Sequence, residues 1–227
     1  MMMELRINLQ MPDLENKVFA RVVGKNMNMD ALKQMPHTVV AHDIAAIYRY
    51  VIDVSEDSIA SVVITNDMLK SKGLTVPELH NMAVDNTEKL FPLRSVNITD
   101  ILKDYGVEYP FPVLDPEFGM PMYVLTNTRH INGANCLLYP KFLSKVAEEN
   151  FQGKDYNILP SSIHELIAIP ESPEFDLKEL LNLVKEANQT VVSEEERLTD
   201  SVYKFDVDKR LVKCMGSDAR AYKPLVM

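Results

Sequence analysis

Four prolines, Pro110, Pro112, Pro116 and Pro121, fall within about a dozen residues. Each fixes φ and removes a backbone donor, so neither a helix interior nor a central strand can run through them. Residues 106–122 are therefore expected as an extended connection, with ordered structure built on either side. This division predicts an N-terminal α+β subdomain over 1–105, a C-terminal ββαββαβ subdomain over 123–206, and a tail over 207–227.

Hydrophobic spacing fills in the two sides. Leu5, Ile7 and Leu9 alternate like a short strand. Asn28 to Met35 reads as a short helix stopped by Pro36. Ile44, Ala46, Tyr48, Tyr50 and Ile52 share one face at period two, and Ser61 to Thr65 is β-branched, so a hairpin is expected with its turn at Val54 to Ser58. The same run also permits a helix from His42 to Val51. Thr75 and Glu78 form a capping box for a helix whose face is Leu79, Met82, Ala83, Asn86 and Leu90. Thr99 to Tyr105 reads as a further short helix. In the second half, Tyr123 to Thr126 and Asn135 to Leu138 read as strands around an Asn132-Gly133 turn. A helix follows from Pro140 to Asn150, then strands Asp155 to Leu159 and Leu166 to Ile169. Asp176 and Glu179 cap a helix with the face Leu177, Leu180, Leu181 and Val184, and Val202 to Phe205 is expected as the final strand. The fold class that results is α+β: antiparallel hairpins forming a sheet with helices packed on it, in two subdomains.

Composition excludes several classes of function. Asp and Glu outnumber Lys and Arg, 33 to 24. Binding to a nucleic-acid backbone needs clustered cations, so no nucleic-acid partner is expected. No apolar run is long enough for a membrane span. Two cysteines in 227 residues do not make a disulfide scaffold, so free thiols in a cytoplasmic setting are expected. The seven glycines are scattered, no two within two residues of each other. A dinucleotide fingerprint, a Walker A loop and a G-x-S-x-G elbow each need closely spaced glycines, and none of the three motifs is present.

The groups able to carry chemistry are few. His164-Glu165 opens an H-E-x-x-H pattern whose second histidine is missing. His37, His42 and Asp43 match no common metal-loop spacing, so no metal and no cofactor are expected. Cys136 with His130 or His164 is the one thiol–imidazole pairing worth naming, because a thiolate needs a nearby cation to form. Against it, Cys136 sits in a Cys-Leu-Leu run that reads as core. Ser162 and His164, in the polar segment after Pro160, offer a hydroxyl and a base, although serines there also suit plain turn chemistry. Asp115 and Glu117 are a carboxylate pair beside the prolines. Glu194 to Glu196 reads as a solvated turn, and Met120-Pro121-Met122 is the exposed-looking methionine pair, a contact surface against which core packing stands as the stronger reading.

Several segments together resemble an uncharacterised clostridial family common in gut Firmicutes. They are Tyr123 to Asn127, Asn132-Gly133-Ala134, Leu138-Tyr139-Pro140, Ile158 to Glu165 and Ser201 to Asp206, with Met35-Pro36-His37, Ile64 to Asn66 and Glu78 to Thr87 upstream. The helix from Glu78 to Leu90 is also similar to the uncharacterised YtpQ-like proteins. Neither resemblance implies an activity, a cofactor or a catalytic residue. The expectation is therefore a non-enzymatic cytoplasmic interaction or regulatory protein with a protein partner. The alternatives are a hydrolase using Cys136 or Ser162 with His164, and a small-ligand-binding module.

Overall fold

The computed structural model describes residues 11–55, 58–104, 120–173 and 175–217. The strand expected at Leu5 to Leu9, the Asp115–Glu117 pair and most of the proline cluster lie outside them.

The chain is an α+β fold with two antiparallel sheets. The first is built on β3 (Ile44–Val54), with β1 (Val18–Gly24) along one side. On the other side β2 (His37–Ala41) pairs with the first half of β3 and β4 (Ile59–Val63) with the second. Period-two patterning decides this region in favour of strand, and the helix permitted at His42 to Val51 does not form. Ile44, Ala46, Tyr48 and Tyr50 are buried as expected, whereas Ile52 is 53% exposed. The register shifts between Val51 and Asp53, and this bulge turns Ile52 out of the alternation.

Helix α1 (Leu14–Lys17) leads into β1, and α2 (Met29–Leu32) covers part of one face of this sheet. After β4 come α3 (Asn66–Ser71) and α4 (Val76–Leu90). The capping box forms: Glu78 Oε2 accepts the Thr75 N–H at 2.8 Å, and Thr75 Oγ1 accepts the Glu78 N–H at 3.4 Å. Leu79 and Ala83 of α4 pack on Val18, Ala20, Tyr48 and Tyr50. Fully burying a side chain of this size is worth roughly 1.5–3 kcal/mol.

The second sheet has the order β10-β9-β7-β8-β6-β5. Its strands are β5 (Leu93–Asn97), β6 (Tyr123–Asn127), β7 (Tyr156–Pro160), β8 (Leu166–Pro170), β9 (Val202–Asp206) and β10 (Leu211–Gly216). Helices α5 (Ile98–Asp104), α6 (Pro140–Asn150) and α7 (Leu177–Thr190) complete the fold. β5 precedes the proline cluster, yet it pairs with β6 beyond it. Residues 211–216, within the stretch expected as a tail, form β10, so Val202 to Phe205 is not the final strand. The β9–β10 turn is fixed by Asp206, which bonds Lys213 Nζ and the Lys209 N–H.

Asn135 to Leu138 is not a strand either. Gly133–Leu138 is a buried 3₁₀ helix, and the partners of β6 are β5 and β8. A short apolar run fits a buried helical turn as well as a strand. The turn packs closely at its start, where a Cβ on Gly133 would strike the His164 carbonyl and Thr126. The helical turn then delivers Asn135 to the outer edge of β1. There Asn135 Oδ1 accepts the Val22 N–H and Nδ2 donates to the Ala20 carbonyl, both at 2.9 Å. From α4, Thr87 Oγ1 accepts the Ala20 N–H at 2.8 Å and Asn86 Nδ2 donates to the Val18 carbonyl at 3.0 Å. Side chains thus satisfy an edge that would otherwise be a buried row of unpaired groups. Val22 and Ile44 of the first sheet share one apolar cluster with Leu125, Ile158, Tyr203 and Phe205 of the second.

Candidate functional site

Each chemically capable group can now be placed. Cys136 lies inside the 3₁₀ helix and is wholly buried. Burial pushes its thiol far above the ordinary range, which keeps it protonated and non-nucleophilic. His130 is exposed at a left-handed position (φ 55°), with Nε2 3.0 Å from an Arg94 terminal nitrogen.

Ser162 and His164 do come together, in the turn between β7 and β8. Ser162 Oγ accepts the backbone N–H of His164 at 2.9 Å, and the Ser162 N–H donates to the Glu165 carbonyl at 3.1 Å. This is turn chemistry, with the hydroxyl on the main chain of His164. The imidazole has its own partners: Nδ1 accepts the Asn132 N–H at 3.1 Å, and Nε2 lies 3.5 Å from Glu196 Oε1. With Nδ1 held as acceptor, the neutral ring carries its proton on Nε2 toward the carboxylate. His164 therefore clamps three loops, at 132, 162–165 and 196. Glu196 takes part in this clamp although it is exposed, as Glu194 and Glu195 are.

The densest polar cluster is built around Asp43, at the β2–β3 turn. Its carboxylate is 5% exposed and accepts hydroxyl bonds from Thr199, from Ser201 (2.7 Å) and from Tyr203. The Asp43 carbonyl accepts the Lys25 N–H at 2.7 Å. Burial, reinforced by the adjacent carboxylate, pushes the Tyr203 phenol upward, so it remains a donor. Half-buried Cys214 faces the same carboxylate, and burial raises its thiol first, with Asp43 adding to the effect. Beside the carboxylate, Asn26, Met27, Leu198 and Thr199 help line a cavity of about 10 Å³, the space of one water molecule. Gly24 approaches Leu198 so closely that a Cβ would collide with its carbonyl. Asp43 thus ties the first sheet to the segment that leads into β9 of the second.

Residues 2–207 match a family model. The chain belongs to DUF5688, a family of unknown function. No curated protein and no solved structure matches it. Among the described residues no group of three or more His, Cys, Asp and Glu side chains is placed to hold a metal ion. Likewise no described helix is long and apolar enough to cross a membrane.

The other sequence candidates are separated. His42 is exposed, although its neighbour Asp43 is buried. Met122 packs against Leu159, Ile169 and Leu180, so the Met120–Met122 pair is in part internal. Sequence reasoning did not single out Thr199, Ser201 and Tyr203. Their spacing of two on the approach to β9 was the available signal, because it points three hydroxyls to one side.

Proposed function

We propose that this chain is a non-enzymatic interaction or regulatory protein, one that works by binding rather than by turning over a substrate. The observation that carries this reading is the engagement of its reactive groups. Asp43 is taken up by three hydroxyls, His164 by Asn132 and Glu196, and Ser162 by a backbone N–H, while Cys136 is sealed in the core. The bonds of Asp43 and His164 join separate segments of the fold, and that of Ser162 closes the β7–β8 turn. The two cysteines, both unpaired thiols, support a cytoplasmic setting, and the sequence resemblance supports a clostridial one.

Covalent probes test it. The native protein is treated with iodoacetamide and with a fluorophosphonate, and labelled residues are mapped by mass spectrometry. The expected result is that Cys136 is alkylated only after unfolding and that Ser162 is unlabelled. Native labelling of Cys136 or Ser162 that disappears in His164→Gln would support the hydrolase and overturn the binding reading.

A further inference from the structure

The face of the first sheet opposite Tyr48 and Tyr50 carries groups that no feature above uses. β1 and β3 pair with Arg21 opposite Ile47 and with Phe19 opposite Arg49. Both arginines therefore project from one face, at diagonal positions on adjacent strands. β2 sets His37 opposite the same Ile47 from the other side, so His37 shares that face. Leu32 and Met35 cover the face at Val23, Ala45 and Ile47, and Phe91 covers it at Phe19 and Val51. Arg21 stands between Phe19 and Val23 along β1, and Arg49 between Ile47 and Val51 along β3. Both are half-buried, as is His37.

Their charges are not balanced. Arg49 donates to Ser61 Oγ at 2.9 Å and to the Ser61 carbonyl at 2.8 Å, both neutral acceptors. The Nε–H of Arg21 is shut off from solvent and has no acceptor among the described residues. His37 bonds the Met35 carbonyl through Nδ1 at 3.0 Å. Ion pairs among the described residues join other groups, such as Lys204 with Asp155 and Lys213 with Asp206. Burial disfavours the charge on Arg49, and among the described residues the charge that acts on it is that of Arg21, which repels. A chain with 33 acidic side chains has set none of the described ones against this pair. A buried N–H without an acceptor, beside a like charge, costs stability.

We propose that Arg21, Arg49 and His37 form an anion site on this face, and that it takes a phosphoryl group. Two guanidiniums carry a fixed double positive charge, and a phosphate monoester near neutral pH carries about −1.5 to −2. Its three oxygens suit the donors left over, the terminal N–H groups of Arg21 and the Nη1 of Arg49, since Ser61 holds the Nε and Nη2 of Arg49. A carboxylate, with one charge and two oxygens, leaves one guanidinium unbalanced. The net charge of −9 disfavours a long polyanion, so the ligand is a small phosphorylated molecule or phosphate itself. This inference rests on the binding reading and names a ligand class for it.

The test is titration calorimetry with inorganic phosphate, glycerol 3-phosphate, acetate and a short oligothymidylate, at constant ionic strength. ³¹P spectra of the same mixtures report turnover. Phosphate and the ester are expected to bind in the millimolar range or tighter, and acetate and the oligonucleotide not to bind. Arg21→Met and Arg49→Lys are each expected to weaken binding roughly tenfold to a hundredfold. In phosphate-free buffer Arg21→Met is expected to melt no lower than the parent, because it removes an unbalanced charge. A merely structural arginine would instead lower the melting temperature on substitution. Should Arg21→Met fail to fold, Arg49→Lys decides. Equal binding by parent and Arg49→Lys, tighter binding of the oligonucleotide, or no phosphate binding at all would overturn the site. Binding with consumption of the ester would keep the site and overturn the non-enzymatic reading.

Discussion

At β1 the outward backbone groups of Val18, Ala20 and Val22 meet side chains of Asn86, Thr87 and Asn135 instead of another strand. A primary amide carries a donor and an acceptor in fixed relation, so Asn135 can satisfy two main-chain groups at once. Asn135→Ala leaves the Val22 N–H and the Ala20 carbonyl buried without partners. The expected loss is about 2–4 kcal/mol in urea unfolding at unchanged m-value, and a loss below 1 kcal/mol would contradict this role. A second residue-scale prediction concerns pH. His80 Nδ1 shares a hydrogen bond with the Tyr48 hydroxyl at 3.0 Å, and burial holds its pKa below the ordinary imidazole value. A lowered folded pKa contributes stability that is present above the unfolded pKa and is lost as pH falls through the folded one. Melting temperature should therefore fall between about pH 7 and pH 5, and the fall should be shallower in His80→Gln. Parallel curves for the two proteins would show that the acid sensitivity arises elsewhere.

Elements with complete local signals were legible in the sequence. α4 forms where its Thr75–Glu78 box and apolar face place it, and α6 and α7 keep the expected bounds at Pro140 and Asp176. Thr75→Ala should cost about 1 kcal/mol of stability, the ordinary worth of such a cap. β1, β5 and β10 were not legible, for a shared reason. β5 has no buried face of its own, and β10 is an edge strand with Leu211 and Met215 exposed, so neither shows clean alternation. β1 is buried on both faces, which removes alternation from the other direction. The 3₁₀ helix at Gly133–Leu138 depends on contacts with His164 and Thr126, far along the chain or across a strand, and local pattern cannot carry that. In hydrogen exchange, β10 amides should exchange faster than those of β9, and Asp206→Asn, which weakens the Lys213 pair, should widen the gap. Equal protection of the two strands would contradict the hairpin's dependence on this turn.

Across the whole molecule, polar bonds between distant segments join the two sheets. Asn135 reaches β1, Tyr139 donates to the Val84 carbonyl at 2.7 Å, and Asp43 gathers Thr199, Ser201 and Tyr203. The sequence named Cys136, Ser162 and His164 because those residue types carry chemistry elsewhere. Core for Cys136 and a turn for Ser162 were legible beside those roles; what the sequence could not reveal is the clamp at His164, which draws on Asn132 and Glu196 from other loops. Nor could it separate Asp43 from His42, since burial of one and exposure of the other follow from which sheet edge the turn meets. Arg21 and Arg49 were legible only in hindsight: fixing Tyr48 and Tyr50 inward puts Arg49 on the opposite face, and pairing with β1 brings Arg21 beside it. If the reactive groups hold the sheets together, removing the central one must unfold the protein more easily. A residue kept for catalysis behaves oppositely, its replacement often leaving stability unchanged or higher. The direct measurement is the urea unfolding of Asp43→Ala beside the parent protein. Removal of the acceptor shared by three buried hydroxyls should cost about 3–5 kcal/mol. Stability equal to or above the parent's would mean that Asp43 is held ready for a reaction, and would contradict the account.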